Sequence, residues 1–125
     1  MVYNNLNFLT SDMHELSVAL GIVKIAEDVV EKERATSVDL IELEIGTLAG
    51  IAFDSLDFVW ESAVKNTVLE HAKRRINRIK GEARCIDCDA VFEINHLYDE
   101  CPECHSHVKG ILKGKELRVK ALEII

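Results

Sequence analysis

The sequence predicts an α+β fold: a small three-stranded sheet with two helices, plus an inserted four-cysteine module. Three observations lead there. Apolar residues recur at helical spacing in two stretches, and strand-like segments lie around them. All four cysteines of the 125-residue chain fall as two Cys-x-x-Cys pairs, Cys85/Cys88 and Cys101/Cys104. Those pairs lie between two of the strand-like segments, so the module they build is an insertion.

Residues 1–10 show no steady period and hold three asparagines, which reads as the larger part of a flexible N-terminal arm over 1–12. Asp12 can cap a helix, and Glu15 falls three residues later, as in a capping box. The stretch to Lys32 then carries two adjoining apolar stripes. Leu16, Ala19, Leu20, Val23, Ala26 and Val30 form one; Val18, Ile22, Ile25 and Val29 form the other. The narrow polar face that remains predicts deep burial. Residues 38–45 read as a strand, with Ile41, Leu43 and Ile45 on one side and Glu42 and Glu44 on the other. Gly46 and Gly50 bracket a turn. Residues 51–64 read as a second helix, with Phe53, Leu56, Trp60 and Val64 on its core face. Residues 70–80 lead into the cysteine module as a strand. In the last strand, 117–124, the apolar side switches after Ala121, which suggests a bulge. The predicted layout is an arm over 1–12, a main domain over 13–80 and 111–125, and the inserted module over 81–110, with Gly81, Gly110 and Gly114 at its hinges.

Twelve residues separate the cysteine pairs, enough for two short strands and a turn. Each Cys-x-x-Cys sets two sulfurs on one tight turn, so Cys85, Cys88, Cys101 and Cys104 fit the corners of a tetrahedral zinc site. This is the layout of a zinc ribbon. Disulfides would need an oxidising compartment. A redox pair would need only one such motif, and inert buried cysteines would not repeat a spacing. Four sulfurs leave no open position on the ion, so the expected role is structural.

The net charge of −7 is unevenly spread. Within 81–110, seven acids (Glu82, Asp87, Asp89, Glu93, Asp99, Glu100, Glu103) face only Arg84 and Lys109. A nucleic-acid backbone would be repelled, because its binding needs positive charge. The basic cluster Lys73, Arg74, Arg75, Arg78 and Lys80 reads as a solvated face rather than a docking patch. No apolar run approaches the roughly 20 residues of a membrane span, and the first residues lack a signal-peptide pattern. The expected compartment is the cytoplasm.

Met13-His14-Glu15-Leu16 opening an apolar helix, a strand ending in Glu44-Ile45-Gly46, and the late cysteine ribbon occur together here. So do Cys101-Pro102-Glu103-Cys104-His105-Ser106 and Glu116-Leu117-Arg118-Val119. In this combination the chain resembles the HypA/HybF hydrogenase maturation factors, nickel metallochaperones of nickel–iron hydrogenase assembly, from Met13 to about Ile125. The resemblance implies a nickel-binding domain and a zinc domain. It implies Ni(II) held by the His14 imidazole with main-chain nitrogens of Met13, His14 and Glu15. It also implies partners: a nickel-handling GTPase, the hydrogenase large-subunit precursor and, in some bacteria, the urease nickel chaperone.

Such a site is chemically reasonable. Imidazole and backbone nitrogens suit tetragonal Ni(II), and the first N–H groups of a helix have no intrahelical acceptor to lose. The sequence departs from the family pattern in one respect. Typical members begin at this Met, whose α-amine is a nickel ligand, whereas twelve residues precede Met13 here. Translation from Met13, removal of the arm, and a rebuilt site using the Asp12 or Glu15 carboxylate are the three explanations. By position alone, His14 would be a surface or capping histidine. His71, His96, His105 and His107 read as exposed loop residues, with His105 and His107 beside the zinc knuckle, where they could tune it or bind a second metal.

Three function classes follow. The first is a nickel-delivery protein without a reaction of its own. The second is a zinc-ribbon protein-interaction adaptor without nickel transport. The third, an enzyme or thiol-redox protein, lacks any nucleophile–base pair, phosphate-binding glycine loop or open metal site in the sequence.

Overall fold

The computed structural model describes residues 2–7 and 15–125. In chain order these form β1 (Val2–Asn7), α1 (Glu15–Lys32), β2 (Val38–Gly46), α2 (Phe53–Val64), β3 (Lys73–Ile79), β4 (Gly81–Cys85), β5 (Val91–Ile94), β6 (Lys109–Lys113) and β7 (Leu117–Ile124). One sheet has the order β1-β7-β2-β3, the other β5-β4-β6. The contacts divide the chain into two compact units. The first takes Met1–Glu44, Ile51–Asn77 and Leu117–Ile125; the second takes Ile45–Gly50 and Arg78–Glu116.

The first unit contains the expected α+β fold, with the three anticipated strands as β2, β3 and β7. A fourth strand corrects the expectation of a flexible arm over 1–12. Residues 2–7 pair antiparallel with β7 in one unbroken register, Val2 opposite Glu123 through Asn7 opposite Arg118. Asparagine disfavours strands locally, and a ladder with a distant partner overrides that preference. The expected Asp12 cap and the rest of the arm lie outside the described residues.

Helix α1 buries Val18, Ala19, Ile22, Val23, Ala26, Val29 and Val30, a single stripe at i, i+3/i+4 spacing. Leu16 and Leu20, read from the sequence as part of the core face, are instead about half exposed. They lie at the margin of a stripe narrower than its apolar composition suggested. The helix ends with Arg34 at φ 54, where the Ala35 N–H donates to Val30 O at 2.9 Å, a Schellman-type stop.

Helix α2 packs on α1 and turns Leu56, Ala63 and Val64 inward. Trp60 is only half buried, and the Arg74 guanidinium lies over its ring, 5.0 Å from the centroid. Arg74 also donates to Asp57 at 2.5 Å, so this member of the basic cluster serves packing within the unit.

The β2 alternation appears as read, with Ile41 and Leu43 fully buried. Its other side is polar and paired. Glu44 accepts from Arg118 of β7, and Glu42 accepts from Asn77 of β3 at 2.8 Å. Along β7 the buried positions run Leu117, Val119, then Leu122, so the switch of side seen in the sequence occurs. The register with β1 continues through it, so no bulge interrupts that ladder.

Candidate metal centre

In the second unit, β4 is the central strand, flanked by antiparallel β5 and β6. The sequence left room for two strands between the cysteine pairs. The structure places one there, β5, and takes β4 and β6 from either side of the pairs. The remaining linker is occupied by a turn that Asp99 organises. Its carboxylate accepts the N–H groups of Asn95 at 2.8 Å and His96 at 3.1 Å. Those N–H groups hold the Asp99 carboxyl below its usual range.

The cysteine pairs form two knuckles built alike. In the first, Cys85 N–H donates to Ala90 O at 2.8 Å, and Asp89 N–H donates to Cys85 O at 3.0 Å. In the second, Cys101 N–H donates to Ser106 O at 2.9 Å, and His105 N–H donates to Cys101 O at 2.9 Å. Asp89 (φ 62) and His105 (φ 63) occupy the same left-handed position in each. Asp and His are among the non-glycine residues that tolerate it. This repeat explains why Cys-x-x-Cys brings its sulfurs together: each turn closes on the carbonyl of its first cysteine.

The four Sγ atoms lie within 4.8 Å of one another. Cys85 and Cys104 are 3.5 Å apart, and Cys88 and Cys101 are 3.6 Å apart. A tetrahedral zinc with Zn–S near 2.3 Å sets sulfur–sulfur edges of about 3.8 Å. The cluster therefore fits a structural zinc ion with little adjustment. Cys85 and Cys101 are buried, while Cys88 and Cys104 lie at the rim.

The thiols are not electrically equivalent. Burial pushes Cys101 up, but the N–H groups of Cys104 and Glu103 outweigh it and bring its pKa down to about 7. At Cys88 the Ala90 N–H pulls downward, yet desolvation and the neighbouring thiols carry it up to about 12. One thiolate, Cys101, thus forms near neutrality, while Cys88 keeps its proton there.

A cross-link between the knuckles was not legible in the sequence. Ser106 Oγ donates to Asp87 at 2.5 Å and accepts the Val108 N–H at 3.1 Å. The Ile86 N–H donates to Val108 O at 3.0 Å. Each knuckle thereby holds the other, the kind of outer support that fixes ligand orientation. No spacing rule marks Asp87 and Ser106 as partners, because they meet only when the cysteines do.

The histidines fall where loop residues were expected. His105 Nδ1 and His107 Nε2 face the two oxygens of Glu100, at 3.0 and 3.7 Å. His96 stacks on Tyr98 at 4.8 Å, and His71 lies 3.4 Å from Glu70. Among the described residues, the four cysteines are the group of three or more His, Cys, Asp or Glu side chains placed to hold a metal ion. Of the nickel candidates, Met13 and His14 lie outside the described residues. Glu15 is described: it opens α1, and its Oε2 accepts the Ala52 N–H at 3.3 Å.

The comparisons agree with this architecture. A family model described as "Hydrogenase/urease nickel incorporation, metallochaperone" matches residues 13–124. The chain is 45% identical over 112 residues to the hydrogenase maturation factor HypA of Parabacteroides distasonis, covering 90% of this chain and 97% of that protein. It is 41% identical over 112 residues to HypA of Azotobacter vinelandii, covering 90% and 99%. Among solved structures, it resembles the solution structure of the Ni metallochaperone HypA from Helicobacter pylori. There the TM-score is 0.65 at 29% identity, with 90% of this chain and 98% of that chain covered. With nine-tenths of its length matched, including both cysteine pairs, the chain belongs to the HypA family of nickel-incorporation metallochaperones.

Proposed function

We propose that this protein binds one Ni(II) ion at Met13-His14-Glu15 and passes it on during assembly of a nickel–iron hydrogenase. The His14 imidazole and main-chain nitrogens of Met13, His14 and Glu15 form the ligand set. Nickel is cargo, and the protein performs no reaction of its own. A zinc ion on Cys85, Cys88, Cys101 and Cys104 holds the second unit in shape. The supporting observation is that the family match begins at Met13, so that Met-His-Glu opens the matched region. The partners in this reading are a nickel-handling GTPase and the hydrogenase large-subunit precursor, in the cytoplasm. Delivery to urease through its nickel chaperone is a second destination, supported by the family description alone.

The test is a nickel titration of the zinc-loaded protein in two forms, one beginning at Met1 and one at Met13. His14→Ala should weaken binding by more than about 100-fold, since losing even an outer-shell partner of a metal ligand costs 10–100-fold. Affinity should fall by at least about tenfold from pH 8 to pH 6, because an imidazole takes up a proton there and bound amides must release theirs. Tight binding by the Met13 form alone would make the α-amine a ligand. Equal binding by both would mean a site rebuilt without it. No binding by either would leave the adaptor reading.

A further inference from the structure

We infer that the Glu15 carboxylate is a positioning group for the nickel segment: through Oε2 it fastens the start of α1 to the start of α2, and it acts on the metal by holding that segment rather than as a ligand. The inference rests on the nickel reading above. Glu15 is the first residue of α1, and its Oε2 accepts the N–H of Ala52, 37 positions away, at 3.3 Å. Ala52 is the N-cap of α2, with φ −81 and ψ 106, and has no side chain able to cap. The usual remedy is a Glu three residues into the helix that reaches back to the N-cap N–H. Here that position is Ser55, whose side chain is too short. Glu15 makes this bond from a different helix. Its negative charge thereby serves the positive ends of both α1 and α2.

The consequence concerns Met13 and His14, which immediately precede Glu15 in the chain. The residue they are attached to is fixed by α1 on one side and by α2 on the other. Ordering a short peptide around a metal is costly in conformational entropy. A segment whose end is already immobilised binds more tightly for that reason. The bond also separates two roles that the sequence left merged in Glu15. The bond engages Oε2 of the carboxylate and directs it to α2, whereas the backbone nitrogen of the same residue, at the first turn of α1, has no intrahelical acceptor.

The experiment uses the zinc-loaded full chain and its Glu15→Ala and Glu15→Gln variants. Nickel binding is followed by calorimetry and absorbance, and hydrogen exchange of the Ala52 amide by NMR. Glu15→Ala should speed Ala52 exchange and weaken nickel binding, each by roughly five- to tenfold, the size of a lost cap. The nickel absorbance bands should keep their positions. Glu15→Gln offers an amide oxygen to the same N–H and should recover at least half of both losses. The inference is overturned if Glu15→Gln loses nickel as fully as His14→Ala and shifts the bands, for then the carboxylate is a ligand. It is equally overturned if Glu15→Ala leaves Ala52 exchange or nickel affinity at the unaltered level while His14→Ala abolishes binding; the nickel reading would survive that result. Absence of nickel uptake in the unaltered protein would remove both.

Discussion

Removing zinc should abolish the β5-β4-β6 sheet. The second unit is apolar mainly outside its core. Ile45, Ala83, Cys85, Ile94 and Cys101 are buried, but Ile86, Val91, Leu97, Tyr98, Val108 and Leu112 are half exposed or more. Units this small rarely hold together on burial alone and recruit a metal or disulfides. Four-cysteine zinc supplies on the order of 10 kcal/mol of folding free energy, far more than such a core. Without the ion, Cys101 ionises near neutrality while Cys88 keeps its proton, and the sulfurs lose the cation that would tie both knuckles together. Chelation at pH 7, or Cys101→Ser, should therefore collapse the dispersed amide signals of Gly81–Cys85, Val91–Ile94 and Lys109–Lys113. Restoring zinc to the unaltered protein should return them, with one equivalent bound per chain. Persistence of the sheet in zinc-free protein would show that hydrogen bonds such as Ser106 to Asp87 suffice.

Gly46→Ala should be the most damaging alanine substitution among Gly46, Gly50, Gly81, Gly110 and Gly114. A Cβ at Gly46 would stand 1.8 Å from Gly114 O and 2.1 Å from its carbonyl carbon. Both are backbone atoms and cannot rotate away. They are also held in place: the Gly46 N–H donates to Glu116 O at 2.7 Å, and the Leu48 N–H donates to Gly114 O at 2.8 Å. Forcing two strand ends apart should cost roughly 3 kcal/mol or more, at the upper end of overpacking effects. Gly50 is the control. Its added Cβ meets nothing within 4 Å, and only its φ of +77 resists a side chain. Gly50→Ala should therefore cost about 1 kcal/mol. Urea unfolding of the zinc-loaded proteins separates the two. Equal midpoints for the variants would mean that backbone φ, and not close approach, explains the glycines of this turn.

Much of the architecture follows from local rules. The α1 stripe, the β2 alternation and the Cys-x-x-Cys turns each depend on residues within a few positions of one another. Helix period, strand period and knuckle closure are properties of a short backbone segment, so a single sequence carries them. Cys85, Cys88, Cys101 and Cys104 were legible for that reason, as was the order of helices and strands after Met13. What remained hidden depends on partners far apart in the chain. Val2–Asn7 is a strand because β7, more than 100 residues later, offers a ladder. Leu16 and Leu20 are half exposed because α1 presents a narrower face than its composition allows. Asp87 meets Ser106, and Glu15 meets Ala52, only after the elements carrying them have packed. Short-range periodicity states which face of an element seeks burial. Only tertiary packing chooses which surface covers it and which single hydrogen bonds close across the contact.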